Sequence, residues 1–579
     1  MLKIMGIWIF LIAYVIGIGL YFIPLLKPFD FSNRLFYAFW CGFFACLLLL
    51  QVFHLWMPID STLFYGFLVL SVGGYVFGIK GLCDFEPLGI RNLSQRAGCC
   101  LIGLVMFWLV WLSNRALSPN FIDDTGLYHF SAVMWAKEYS IVPGLGNLHG
   151  RLAFNNTHLL FNALLDGGFW STPSVRIGNG FLILCMGIMV SWSTVKVFSE
   201  KTLTVLDGFR ALMFLVVFYL AVNGLGLSTD IPNFILGFLV TGLFVEVFLQ
   251  ETLDKEDVYH RILLMGLFTA VAITVKISFL VFGCALLGCA LFRFYYKFGQ
   301  DAFKLCLSKK TGYALLLAFS IVGLFIVRGY ILSGYPVYPS SFGAIGADWT
   351  IPVKDVIWEM RGIKASARIV GPPVDEILGS WMWLGHWLQY SLFGIKGIWI
   401  IVMPSAIGIL GCLSLIYKNQ TGQIGFKVQS MFLFILPFVT GAAFWFITAP
   451  DPRFVGVLFW ALGLGLLIAS ESINMIRCRL LSSLMMFGCV IVFIIGANIK
   501  PNGVVTQKGP NGGLWPLPKP KTEVYTTQSG LKVNVAIEKG AMQSLTWDVP
   551  LPSAPGTVPN VSLREKGNMQ KGFKKVYEP

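Results

Sequence analysis

The chain has 579 residues, 56% of them hydrophobic and 12% charged, with a mean hydropathy of +0.73; that excludes an ordinary soluble protein, in which about 25% of residues are charged. The formal net charge of +14 does not point to nucleic acid, because Lys and Arg sit in small groups between apolar runs, as positive-inside topology produces. The 12 Cys lie in or beside those runs without C-x-x-C spacing, and none falls in 119–175, 330–394 or 499–579, which argues against a disulfide-stapled outer domain and a Cys-based zinc site.

The first apolar run, Ile4 to Ile23, lacks a small-residue cleavage site and is followed by Pro24, Lys27 and Pro28, so it reads as a retained span. Runs long enough for a hydrocarbon core of about 30 Å follow one another at 4–26, 35–55, 62–79, 98–117, 177–196, 210–225, 232–250, 262–275, 277–295, 312–331, 395–416, 428–447, 454–472 and 480–498. The expected fold is therefore an all-α polytopic membrane protein of about 14 transmembrane helices. Lys276 separates two short segments, which leaves a re-entrant pair open there.

Basic residues fall in every second connection: Lys27 and Arg34; Lys80, Arg91 and Arg96; Lys196, Lys201 and Arg210; Lys255 and Arg261; Arg293, Lys297, Lys304, Lys309 and Lys310; Lys418 and Lys427; Arg477 and Arg479. Those connections are expected in the cytoplasm, and the alternate ones, with both termini, outside. Four parts follow: N-terminal membrane helices (1–118), an outer segment (119–175), a membrane domain (176–498) with an outer loop at 330–394, and an outer C-terminal segment (499–579).

The outer segment concentrates residues that avoid a membrane: Asp123, Asp124, His129, Lys137, Glu138, Asn147, His149, Arg151, Asn155, Asn156 and His158. Asp123 or Asp124 reads as the N-cap of a helix, with one carboxylate capping and the other, by preference Asp124, facing a cavity. Leu127, Phe130 and Met134 form an apolar stripe suited to a membrane surface, and Asp124, Tyr128, Ser131 and Trp135 form its neighbour. Pro143-Gly144-x-Gly146 turns the chain, and a second amphipathic segment runs from Ala153 to Leu165. A cap on an interfacial helix with no chemistry remains the plain alternative.

Further along the same side, Asp230 opens a span, with a cap ahead of Pro232 as the plain alternative. Lys276 stands where burial of an ammonium costs about 2.5–3.5 kcal/mol, and so faces a polar turn or an anion. Arg328 closes its span, with interfacial snorkelling as the alternative, and Pro450-Asp451-Pro452-Arg453 forms a rigid corner. In the loop 330–394 the stretch from Tyr330 to Trp387 carries eight Tyr and Trp residues, explained by interfacial anchoring or by stacking on sugar rings. The tail becomes Pro- and Gly-rich, with strand-type alternation at Leu531 to Ile537, and reads as a small cap. No P-loop, G-x-G-x-x-G, H-E-x-x-H or G-x-S-x-G element is present.

A carboxylate able to act as base, or to bind a metal, is thus accompanied by cations suited to phosphate: Arg151, Lys276, Arg328 and Arg453. At these residues the sequence resembles the GT-C superfamily of membrane glycosyltransferases. The likeness rests on Asp123 and Asp124 in a long outer loop, the juxtamembrane helices after it and the acidic Asp230 at a later span end. The strings Tyr128-His129, Gly144 to Arg151 with Asn147 and His149, Pro450-Asp451-Pro452-Arg453 and Trp547-Asp548-x-Pro-Leu-Pro552 are similar to a bacterial subgroup of GT-C-like proteins.

The resemblance implies an inner-membrane enzyme with its site facing out. It would take a sugar from a polyprenyl-phosphate donor and pass it, with inversion, to a glycan, lipid or protein acceptor. Asp124 or Asp123 would be the base; Tyr128, His129, Asn147, His149, Arg151, Asp230, Lys276, Arg328, Asp451 and Arg453 would bind substrate. The acidic loop follows the fourth span here where the superfamily usually has it after the first. Thr546 and Ser553 stand where similar sequences carry Cys, so no tail disulfide is implied. Adjacent Asp123-Asp124 is not the spaced Asp-x-Asp of metal-dependent members, and a divalent cation is left open. Two rivals are a lipid-linked glycan flippase or other transporter, which would show internal repeats, and a glycan polymerase or ligase, which would use a pyrophosphate-linked donor.

Overall fold

The computed structural model describes residues 1–83, 94–117, 122–199, 203–422, 428–470, 514, 516–537 and 545–576. Among these, twelve helices are long and apolar enough to cross a membrane: Leu2–Leu26, Phe31–Phe53, Ser61–Gly78, Gln95–Arg115, Ser174–Ser199, Val205–Asn223, Asp230–Leu249, Lys255–Val275, Phe279–Phe298, Lys309–Ser333, Ile395–Gln420 and Ser430–Thr448. The protein is a mostly helical, multi-pass membrane protein. Within the expected span 454–472 the described residues form the helix Leu458–Ser470. The expected span 480–498 lies outside the described residues, as do Arg91, Lys201, Lys427, Arg477 and Arg479.

Helix starts in the basic connections are set by polar caps. Asp30 accepts from Asn33 N at 2.8 Å, Ser94 from Ala97 N at 3.3 Å, Asp254 from Asp257 N at 2.8 Å, and Thr204 and Asp207 form a reciprocal capping box. Each satisfies an amide that would otherwise face the membrane boundary unpaired. Two charges that penetrate the bundle at this end are ion-paired, Arg261 with Glu246 at 2.7 Å and Lys196 with Asp207 at 3.0 Å. The first two spans cross at backbone contact distance, since a Cβ on Gly19 would lie 1.7 Å from the Ala38 carbonyl and one on Gly42 2.0 Å from that of Val15. Small residues permit such an approach where lipid offers no hydrophobic drive for helix association.

The Lys276 region is not re-entrant. Lys255–Val275 and Phe279–Phe298 are separate long helices, and Lys276 lies between them in extended backbone (φ −153°, ψ 112°).

The tail adds strands to the helical fold. β1 (Thr522–Thr526) pairs antiparallel with β2 (Lys532–Ala536), which pairs in parallel with β3 (Ser553–Ala554); β4 (Val561–Leu563) and β5 (Phe573–Lys575) form a separate antiparallel pair. The alternation at 531–537 is β2, with Val533 and Val535 buried. These strands share one apolar cluster with Tyr128, Trp135, Ile141, Leu145, Leu148 and Leu332. Backbone bonds fasten them to the 119–175 segment: Trp547 N donates to Gly126 O at 3.0 Å and Phe573 N to Pro143 O at 2.9 Å. Gly144 turns the chain beside this seam at φ +64°, where an added Cβ would meet Phe573 O at 2.2 Å.

Candidate functional site

A cavity of about 730 Å³ opens where the connections without basic clusters meet at one end of the bundle. Its polar rim comes from the 122–129 turn, Arg151 and Asn156, the 228–233 helix start, the 274–278 connection and Arg453; Phe279, Phe282, Phe325, Gly441 and Phe444 extend it among the spanning helices. It is therefore charged at the mouth and apolar in depth.

The acidic pair is arranged differently from an N-cap. The chain enters a helix at Asp123 and then a π-turn over Thr125–His129, closed by Phe130 N donating to Thr125 O. Asp124 occupies the cap position with helical dihedrals (φ −56°, ψ −27°) and makes no side-chain cap bond. Its carboxylate instead accepts from Arg151 Nη1 at 2.7 Å and lies 3.9 Å from Arg453 Nη1. A charge-assisted bond to guanidinium is stronger than a neutral amide contact, so the cations win. Asp123 is exposed and also lines the cavity.

The two stripes of this segment differ in burial. Tyr128, Ser131 and Trp135 are buried, whereas Leu127, Phe130 and Met134 are half-buried, and the segment continuing through Thr157–Asp166 is enclosed by the bundle. Asn156 caps that helix by accepting from His158 N at 2.9 Å, and its amide nitrogen bonds Val275 O beside Lys276. This fastens the two halves of the rim together.

Asp230 forms no cap bond either; its carboxylate pairs with the Lys276 ammonium. The Lys276 nitrogen lies 4.2 Å from the centre of the Phe454 ring, and the Arg453 guanidinium carbon lies 5.2 Å from it, so one aromatic flanks both cations. Asp451 accepts from Arg453 N at 2.8 Å and Nε at 3.0 Å, which aims the guanidinium toward Asp124. Burial would lower the Arg453 pKa, but Asp451, Asp230 and Asp124 outweigh it and hold the group above its ordinary value. The corner is itself braced by two indoles: Trp387 Nε1 donates to Pro450 O at 2.5 Å and Trp445 Nε1 to Asp451 O at 2.9 Å.

Tyr128 and His129 complete the wall. Burial, then the charge of Asp124, pushes the Tyr128 phenol well above its usual range, so it stays a neutral donor. Burial brings His129 down to about 4 despite Asp124 and Asp230, so its ring is neutral at physiological pH. Both its ring nitrogens are buried and lack a partner among the described residues.

Four expected ligand residues do not line the main cavity, and Asp451 is one of them, holding Arg453 from behind. Asn147 is a structural tether, its amide donating to Trp349 O at 2.7 Å and Phe573 O at 3.3 Å. His149 lines a second cavity. Arg328 does not snorkel or reach the main cavity; it is buried, donating to Asn155 Oδ1 at 3.1 Å and facing His54 Nδ1 at 2.9 Å, because its helix runs on to Ser333. Sequence reading missed Glu359, which accepts from Arg151 Nε at 3.2 Å; no local signal marks it, since it lies 208 residues from its partner. Tyr338, one of the aromatic residues of the outer loop, stands in the cavity wall.

Among the described residues no three His, Cys, Asp or Glu side chains gather as a metal would need. Asp124 and Asp230 are already matched to Arg and Lys, so the donor set as it stands does not fit a divalent cation. A family model described as a domain of unknown function (DUF8201) matches residues 1–460. The chain belongs to that family. All the residues lining the main cavity, from Ile122 to Leu458, fall within the matched segment. No curated protein and no solved structure matches the chain.

Proposed function

We propose that the protein is a GT-C-type glycosyltransferase that takes a sugar from a polyprenyl-phosphate donor on the extracytoplasmic side of the membrane. The observation that carries this reading is the cavity's division into a charged mouth and an apolar depth. A lipid phosphate has the same division. Its isoprenoid chain would lie against Phe279, Phe282, Phe325 and Phe444, and its phosphate would meet Arg453, Lys276 and Arg151.

In this reading Asp124 is the base. The donor phosphate draws Arg151 and Arg453 away from the carboxylate and leaves it free to accept a proton. The acceptor hydroxyl gives its proton to Asp124 while its oxygen bonds to the anomeric carbon. The bond from that carbon to phosphate oxygen breaks on the opposite face, and the electron pair departs with polyprenyl phosphate. Configuration at the anomeric carbon inverts, and the cations stabilise the leaving group where its charge grows. Neutral Tyr128 and His129 offer hydrogen bonds to the sugar.

The test is turnover of a polyprenyl-phosphate sugar by purified Asp124→Asn and Asp123→Asn proteins. Loss of general-base help costs about 10²- to 10⁴-fold in rate, so Asp124→Asn should collapse while Asp123→Asn stays near wild type. Undiminished turnover in Asp124→Asn, and in the double variant, would remove the assignment.

A further inference from the structure

Beside the main cavity lies a second, of about 480 Å³, within the range of about 300–1,000 Å³ typical of small-molecule sites. It is formed by the 146–150 turn, the start of the helix Val353–Ser366, and the tail segment 554–561 with Lys575. None of its lining residues belongs to a spanning helix, so unlike the main cavity it has no apolar extension into the membrane. A water-soluble occupant suits it better than a lipid.

The two cavities share a wall. Tyr338 lines both, and Glu359 lines the second while bonded to Arg151, which lines the first and holds Asp124. Gly150 leaves this wall thin; a Cβ there would stand 2.8 Å from the Tyr338 hydroxyl. An occupant of the second cavity therefore lies one side-chain layer from the proposed base.

Its chemistry narrows the occupant. Trp358 is 72% exposed within the lining and presents an indole to the space. Around it stand the carboxylates of Asp355 and Glu359, the amide of Asn560 and the ring of His149. Burial, and then Arg151, brings His149 down to about 4, which leaves it uncharged at neutral pH. Lys575 is paired with Asp355 and Arg151 with Glu359, so a phosphate would meet carboxylates whose cations are already engaged. Uncharged hydroxyls find acceptors and donors here without that repulsion, and the C–H face of a pyranose can lie on the indole.

Building on the glycosyltransferase reading, we infer that this second cavity is the acceptor site and that it takes an uncharged saccharide. One end of that saccharide would pass Gly150 and Tyr338 to bring a hydroxyl to Asp124.

The test uses the full-length protein in lipid nanodiscs and a panel of uncharged oligosaccharides of glucose, galactose, mannose and N-acetylglucosamine, with binding read by saturation-transfer NMR. At least one member should bind. Trp358→Ala should weaken that binding about tenfold, as truncation of an aromatic anchor does, and Trp358→Phe should keep most of it. Because Trp358 is exposed, its removal leaves the fold intact. Absence of binding across the panel, or binding indifferent to Trp358→Ala, overturns the inference. The two readings fail separately. Donor turnover that survives Asp124→Asn sinks the transferase, whereas saccharide binding that ignores Trp358 sinks only the acceptor site.

Discussion

Arg151 donates to Asp124 at 2.7 Å across 27 residues of chain, and it also touches the Tyr128 wall and the partition between the two cavities. Its planar fork holds donors toward two carboxylates in fixed directions, whereas an ammonium is a compact point charge on a flexible stem. Arg151→Ala should weaken binding of a polyprenyl-phosphate sugar by about tenfold or more, and Arg151→Lys should recover little of it. Equilibrium binding of a labelled donor analogue to the folded variants checks this; equal affinity in all three proteins would reduce Arg151 to a structural tie.

The tail seats the acidic turn. Trp547 is fully buried, and a Cβ on Gly126 would lie 2.5 Å from its ring. Trp547→Ala should cost about 3–5 kcal/mol by leaving a cavity. Gly126→Ala should destabilise by steric conflict, and Trp547→Leu in the Gly126→Ala background should recover part of the loss, because contacting residues are coupled. Thermal unfolding in detergent reads these proteins together with Trp547→Leu alone; strictly additive effects of Gly126→Ala and Trp547→Leu would mean that the two residues do not meet.

The Arg453 corner depends on Trp387. Trp387→Phe keeps the ring and removes the N–H that serves Pro450 O, leaving a buried carbonyl short of its donor at about 1–3 kcal/mol. The expected signature is a raised KM for donor with a smaller change in kcat. A change confined to kcat would show that the corner acts on chemistry and not on binding.

Stability should fall in mild acid. Burial holds His129 and His158 at about 4, below the ordinary His value. The unfolded chain takes up protons as pH drops through about 6.5, and the folded chain does not until about 4, so stability is lost across that window. The loss is at most about 1.4 kcal/mol per pH unit for each group. Melting temperatures of wild type and His129→Gln between pH 7.5 and 5 check the sign; the variant should show the shallower slope.

Sidedness is the remaining expectation. In a chain cleared of reactive native cysteines, Gly530→Cys should label with an impermeant thiol reagent on intact cells and Lys309→Cys only after permeabilisation. The reverse pattern would invert the proposed orientation.

The spans were legible because each is an apolar run bounded by charge, and helix length follows from bilayer thickness. The gathering of Asp124, Asp230, Lys276 and Arg453 was legible for a simpler reason. Alternate connections of a bundle meet at one end, so polar residues placed in them meet too. Pairing was not legible. Asp124 looked like a cap because capping is a local rule, and the rule gave way to Arg151 and Arg453, which only the folded chain brings near. Arg328 sits at the end of an apolar run, as a snorkelling residue would, and its polar neighbours His54 and Asn155 lie 274 and 173 residues away.

The π-turn at Thr125–His129 gives residue number a meaning of its own. Each helical residue turns the chain by about 100°, and a π-turn is in effect an α-helix holding one residue too many. Deleting one residue from this turn would relax it to an ordinary helix and swing Asp123 and Asp124 by roughly that angle relative to Tyr128, without altering either carboxylate. Aim here is a matter of phase, and a family member one residue shorter at this point would point a different acid at the cavity.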